Sequence, residues 1–113
     1  MIQIYHNPRC GKSRNALAFL EQSKQNYEII QYLNNPPTEA QLVALLKMLS
    51  LKPIELVRQK EKIWIENFKN KTLTDTEVIK ALVTYPILIE RPIVIKNGKA
   101  IIARDLDKLP CFI

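Results

Sequence analysis

The order of apolar and polar positions predicts most of the secondary structure of this chain. Residues 2–5 (Ile2, Gln3, Ile4, Tyr5) alternate apolar with polar and predict a short strand. His6-Asn7-Pro8-Arg9 predicts a loop, because Pro8 biases Asn7 away from helix and asparagine favours turns. A helix is then expected from about Cys10 to Ser23 or Lys24, with Ala16, Leu17 and Leu20 on its buried face. Tyr27 to Tyr32 is a second strand candidate. Strand, helix and strand within about 30 residues make a βαβ unit, so the two strands should be parallel with a right-handed crossover.

Asn34-Asn35-Pro36-Pro37 breaks the chain, and Thr38 with Gln41 is a capping-box signature. The helix behind it places Leu42, Leu45, Leu46 and Leu49 on one face. Pro53 opens a further helical piece to roughly Val57, and residues 59–71 predict a short helix plus loop around Ile63, Trp64, Ile65 and Phe68. Thr74 and Glu77 mark a second capped start, followed by Val78, Ile79, Leu82 and Val83 on one face. Pro92 to Lys96, Asn97-Gly98, and Lys99 to Ala103 predict a β-hairpin, since Asn-Gly tolerates the positive φ of a type I′ turn. Asp105 can cap a last short helix. The sum is an α/β fold of thioredoxin type: a mixed four-stranded sheet flanked by helices, in one domain over 1–113, with a helical insertion at about 38–84.

Composition narrows the function classes. A chain of 113 residues with 47% hydrophobic and 25% charged content suits one ordinary globular domain. No apolar run approaches the roughly 20 residues of a membrane span. The N-terminus lacks a signal peptide's basic flank and apolar run, so a cytoplasmic location is expected, where thiols stay reduced. That disfavours a disulfide between Cys10 and Cys111. With His6 the sole histidine and neither cysteine in a ligand pattern, no metal site is expected. The net charge of +6 favours an anionic partner or substrate.

Cys10 is the candidate nucleophile. It follows a strand and a tight loop where a helix begins, facing free N–H groups and the positive end of the helix dipole, which favour a thiolate. Arg9, Lys12 and Arg14 add three nearby cations that should lower its pKa further. The same helix N-terminus is an anion site. Ser13 can donate to the sulfur or satisfy the first helical turn. His6 can support the thiolate across the loop or bond only backbone, and Asn7 can fix the loop through its own backbone. Arg91 and Arg104 sit at hairpin ends that converge on the Cys10 loop, and guanidinium groups suit a tetrahedral oxyanion gripped through two oxygens. Arg58, in a charged loop beside Lys60 and Lys62, fits a solvated surface as well as a site. Pro92, opening a strand beside a thiol, is a candidate for a cis peptide.

His6-Asn7-Pro8-Arg9-Cys10-Gly11-Lys12-Ser13-Arg14, Tyr32-Leu33 before Pro36-Pro37, Glu90-Arg91-Pro92-Ile93-Val94 and Ala103-Arg104 resemble, collinearly, the glutaredoxin-dependent arsenate reductase family, in a short bacterial branch. The resemblance implies a thioredoxin fold with an inserted helical subdomain, catalytic Cys10, and an arginine triad of Arg58, Arg91 and Arg104. It also implies that His6 lowers the thiol pKa and that the Arg91–Pro92 peptide is cis. The implied activity is reduction of arsenate to arsenite by a cytoplasmic monomer, with no bound cofactor. Glutathione would be the cosubstrate and glutaredoxin the final reductant. Such a cycle needs two thiols, and the Cys10-Gly11-Lys12-Ser13 run has only one, so the second must come from outside or from Cys111.

Two other classes compete. Thioredoxin-fold regulators that bind RNA polymerase resemble this family in fold, but the redox-sensing ones often use a Cys-Xaa-Xaa-Cys switch, and here Ser13 stands at the second position. Direct nucleic-acid binding rests on net charge alone, without interleaved aromatics or a basic stripe along one helix.

Overall fold

The computed structural model describes residues 1–113 and divides into two compact units, Met1–Asn35 with Arg91–Ile113, and Pro36–Glu90. The first unit holds a four-stranded sheet of β1 (Ile2–Tyr5), β2 (Tyr27–Ile30), β3 (Ile93–Lys96) and β4 (Lys99–Ile102) in the order β2-β1-β3-β4. β1 and β2 run parallel, with Ile2 opposite Tyr27, while β3 is antiparallel to both β1 and β4. With α1 (Gly11–Gln22) between the parallel strands, this is the thioredoxin-like arrangement expected from the element order.

Alternation decides which side chains reach the core. Ile2 and Ile4 of β1 and Val94 of β3 meet Ala16 and Leu20 of α1 in a buried cluster with Ala103 and Leu109. Leu109 belongs to α5 (Leu109–Phe112), which follows a 3-10 turn at Leu106–Lys108 capped by the Asp105 side chain. Asn97 and Gly98 both have positive φ, 53° and 75°, as a type I′ hairpin turn requires. β2 ends at Ile30, two residues short of the expected limit, because the chain turns there and the Tyr32 ring stacks on Tyr5 at 5.9 Å.

The second unit contains α2 (Glu39–Leu49), α3 (Lys62–Asn67) and α4 (Asp75–Thr84). Both expected capping boxes form: Thr38 and Gln41 bond reciprocally before α2, as do Thr74 and Glu77 before α4. α4 packs against α2 and against 3-10 turns at Pro53–Leu56 and Pro86–Leu88, burying Leu42, Leu45, Leu56, Leu82 and Leu88. The second of these turns was not visible in the apolar spacing, because three residues carry no helical period. An isolated antiparallel bridge joins Val57 to Ile89. No helix is long and apolar enough to cross a membrane.

Candidate active site

The loop from His6 to Cys10 leaves the C-terminal end of β1, and the strand registers bring two more segments to that edge of the sheet. Tyr5 stands opposite Ile93, and Ile93 opposite Ile102. One step beyond, the Ala103 N–H donates to the Pro92 carbonyl at 2.8 Å, so Arg91 and Arg104 follow at the same edge. Hairpin topology therefore juxtaposes the two arginines beside the Cys10 loop, as the spacing suggested. Arg91 is 8% exposed, low enough that its guanidinium is largely screened from water, whereas Arg104 is exposed. The Arg91–Pro92 peptide is cis.

Internal hydrogen bonds shape the loop. The Asn7 side-chain oxygen accepts from the Arg9 N–H at 3.0 Å, and the Asn7 carbonyl accepts from the Cys10 N–H at 3.0 Å. Ser13 is completely buried, and its Oγ accepts from the Asn7 N–H at 2.9 Å and lies 2.7 Å from His6 Nδ1. The hydroxyl therefore ties helix to loop, the two ends of the segment that carries Cys10. Its alternatives at sequence level were the sulfur and the first helical turn. Burial, and then the charge of Arg14, hold the His6 pKa below the ordinary histidine value, against a hydrogen bond with Ser13 that raises it. A neutral ring with its proton on Nε2 accepts the Ser13 hydroxyl proton at Nδ1, which leaves the Ser13 oxygen free to accept from Asn7.

Cys10 caps α1 with extended backbone and no side-chain cap bond, and its carbonyl accepts from the Arg14 N–H at 3.0 Å. Partial burial pushes the thiol pKa up. The Ser13 N–H, the Arg91 side chain and the Lys12 N–H favour the charged sulfur and, with the Arg91 charge, outweigh burial, so the pKa lies below the ordinary cysteine value. The cation that acts on the sulfur thus comes from the far hairpin. The expected help from Arg9, Lys12 and Arg14 takes another form: Lys12 contributes its backbone N–H, and all three side chains are exposed. Arg14 turns back to the Pro8 carbonyl at 3.0 Å.

Arg58 belongs to the second unit. Its Nε lies 3.4 Å from Glu61 and its Nη1 3.6 Å from Glu90, and its backbone N–H donates to the Leu88 carbonyl at 2.7 Å. Cys111 is a free, exposed thiol on α5. Asn7 fixes the loop as its sequence position suggested. It is 2% exposed, and both its backbone N–H and its side-chain oxygen brace the loop; its place before Pro8 was the available signal.

A thiol with a lowered pKa at a helix N-terminus, beside a buried guanidinium, can as its thiolate attack an electrophilic centre carried by an anion. Comparison with known proteins points the same way. The model of the ArsC family matches residues 5–111. The uncharacterized protein YfgD of Escherichia coli K12 is 45% identical over 110 residues, covering 96% of this chain and 92% of that protein. An arsenate reductase of Neisseria meningitidis is 37% identical over 110 residues, covering 96% and 94%. The structure of an arsenate reductase from Vibrio cholerae superposes with a TM-score of 0.92 at 36% identity, covering 99% of this chain and 97% of that one.

Proposed function

Because the chain belongs to the ArsC family, we propose that it reduces arsenate to arsenite, with Cys10 as the nucleophile. The observation that carries this reading is the environment of the sulfur at the start of α1: the Ser13 and Lys12 N–H groups of the first turn and the buried Arg91 guanidinium favour the charged thiolate. The relatives named arsenate reductases support the choice of oxyanion.

In the proposed cycle the Cys10 thiolate attacks arsenic, an S–As bond forms, and one oxygen leaves as water after taking up protons. Arg91 and Arg104 grip the remaining oxygens and offset the charge that builds on them. Arg58 enters this proposal through the family resemblance, as the third arginine. His6 acts through Ser13, holding the loop that presents the sulfur. Arsenic is still pentavalent at this stage. The thiol of glutathione then attacks the Cys10 sulfur, forming a Cys10–glutathione disulfide. The S–As bond breaks with its electron pair left on arsenic, which departs as trivalent arsenite. Two sulfurs lose one electron each and arsenic gains two. Glutaredoxin regenerates Cys10 by thiol–disulfide exchange. An external thiol is proposed because Ser13 stands where a local resolving cysteine would be, with its hydroxyl already committed to His6 and Asn7. We place the enzyme in the cytoplasm, as a monomer without a bound cofactor.

The test is turnover. Purified protein supplied with arsenate, glutathione, glutaredoxin and a reductant for the disulfides should release arsenite, and Cys10→Ser should abolish it. Release no faster than the Cys10→Ser background would overturn arsenate as the substrate.

A further inference from the structure

Cys10 closes a tight turn, and both ends of that turn's central peptide are held by side chains. The Asn7 carbonyl accepts from the Cys10 N–H at 3.0 Å, which makes Pro8 and Arg9 the middle residues of a β-turn. The non-glycine residues with positive φ are Lys24, Ser50, Asn70 and Asn97, so Arg9 has the negative φ of a type I turn, which type II would not allow. The two types differ by a half-turn of the peptide between the middle residues, here Pro8–Arg9. The N–H of that peptide donates to Asn7 Oδ1 at 3.0 Å, and its carbonyl accepts from Arg14 Nη1 at 3.0 Å. Turning the plane would break both bonds, set oxygen against oxygen at Asn7 and N–H against N–H at Arg14. To reach the loop, the Arg14 guanidinium folds back along α1: its Nη2 lies 3.7 Å from where a side chain on Gly11 would begin. The Arg14 backbone N–H meanwhile donates to the Cys10 carbonyl at 3.0 Å. One residue therefore holds the chain on both sides of the thiol. Helix stability does not explain an arginine here, because a cation near the positive end of a helix opposes the dipole, and α1 has no acidic residue in its first turn to offset it.

From this geometry we infer that Arg14 is a positioning residue for Cys10: with Asn7 it clamps the Pro8–Arg9 peptide, and so fixes the direction in which the sulfur leaves the backbone, rather than gripping a substrate. The inference rests on the reading of Cys10 as the nucleophile and adds a residue that acts on it through the main chain alone. The influences on the thiol come from the Ser13 and Lys12 N–H groups and from Arg91, and the Arg14 charge is not one of them. Those groups favour the thiolate only where the loop delivers the sulfur to them. Releasing the Pro8 carbonyl lets the peptide plane turn and carries the sulfur out of line. One hydrogen bond is worth about two- to tenfold in such a local equilibrium. In the native turn the φ of Arg9 still opposes turning, because the turned plane would force a left-handed conformation on a residue with a side chain. Only part of the worth of the Arg14 bond therefore shows until glycine replaces Arg9.

The experiment is alkylation of Cys10 by iodoacetamide in protein carrying Cys111→Ser, so that Cys10 alone reports. The reagent is uncharged and offers a guanidinium nothing to grip. The thiolate sulfur displaces iodide from the reagent's carbon, forming a thioether. Rates are followed with pH above about 7, where His6 is neutral, because the Arg14 charge also acts on that ring. Arg14→Met should slow alkylation about threefold and move the midpoint of the profile upward, and Arg14→Lys, which keeps a donor, should recover most of both. In an Arg9→Gly background the loss on Arg14→Met should grow to about tenfold relative to Arg9→Gly alone. The Arg14 side chain is exposed, so these variants should keep the fold, and urea unfolding checks that they do. A rate and midpoint indifferent to Arg14→Met would overturn the inference. So would a loss of equal size in both backgrounds, which would mean that the charge and not the peptide clamp is responsible. The reagent contains no arsenic, so a protein inert towards arsenate would still give these ratios, and the two readings fail separately.

Discussion

Ser13→Ala removes one oxygen atom from a fully buried position and should cost far more than an ordinary helical substitution. Two partners lose their bond at once: the Asn7 N–H at 2.9 Å and His6 Nδ1 at 2.7 Å. Asn7 and His6 are 2% and 7% exposed, so water cannot easily replace the lost hydroxyl at either. A buried polar group left without a partner costs about 1–3 kcal/mol. Ala gains back about 0.5 kcal/mol through its better helix propensity. Taking about 2 kcal/mol for Asn7 and about 1 kcal/mol for His6, the net loss should be about 2.5 kcal/mol. That is a substantial part of the about 5–15 kcal/mol that stabilises a typical domain. The assay is urea unfolding at neutral pH, with Asn15→Ala, an exposed site on the same helix, as the control. Ser13→Ala should move the midpoint well down with an unchanged slope, while Asn15→Ala should leave it nearly in place. A loss below about 0.5 kcal/mol, the range of ordinary surface substitutions, would refute the idea that this hydroxyl braces the loop.

Further outcomes follow from the same structure. His6 has a folded pKa below its ordinary value, so the unfolded chain binds a proton more readily, and stability should rise with pH across the window beneath about 6.5. That contribution is complete above the unfolded pKa and is lost as pH falls; His6→Gln should flatten this part of the stability–pH curve, and an unchanged slope would exclude His6 as its source. Thr38→Ala removes the side-chain half of the capping box before α2 and should cost about 1 kcal/mol in urea unfolding. Thr38→Ser, which keeps the accepting oxygen, should recover most of that loss.

What could be read without coordinates was whatever depends on neighbours in sequence. The Thr38–Gln41 and Thr74–Glu77 boxes close within one helical turn, and the Asn97-Gly98 turn needs only two positive φ values. Both are local, and both appear where the pattern put them. Cys10 at the start of α1 was legible for the same reason, because a strand, a Pro-containing loop and an apolar helical period leave it no other place. The charge acting on its sulfur was not legible in the same way. Arg9, Lys12 and Arg14 are closest in sequence, yet their side chains leave the first turn for solvent or the Pro8 carbonyl, while Arg91 arrives through the β1–β3 and β3–β4 registers. Ser13 was ambiguous because one hydroxyl on the first turn reaches several acceptors and donors. The curvature of the loop, which turns Asn7 and His6 back toward α1, selects among them.

The central claim is that Cys10 is held as a thiolate by the first turn of α1 and by Arg91. It is tested most directly by the pH dependence of alkylation with a neutral reagent, in protein carrying Cys111→Ser. The rate should follow a single titration with its midpoint below the about 8.5 of free cysteine, and Arg91→Met should move that midpoint upward. A midpoint at or above that of free cysteine, or one indifferent to Arg91→Met, would contradict the account.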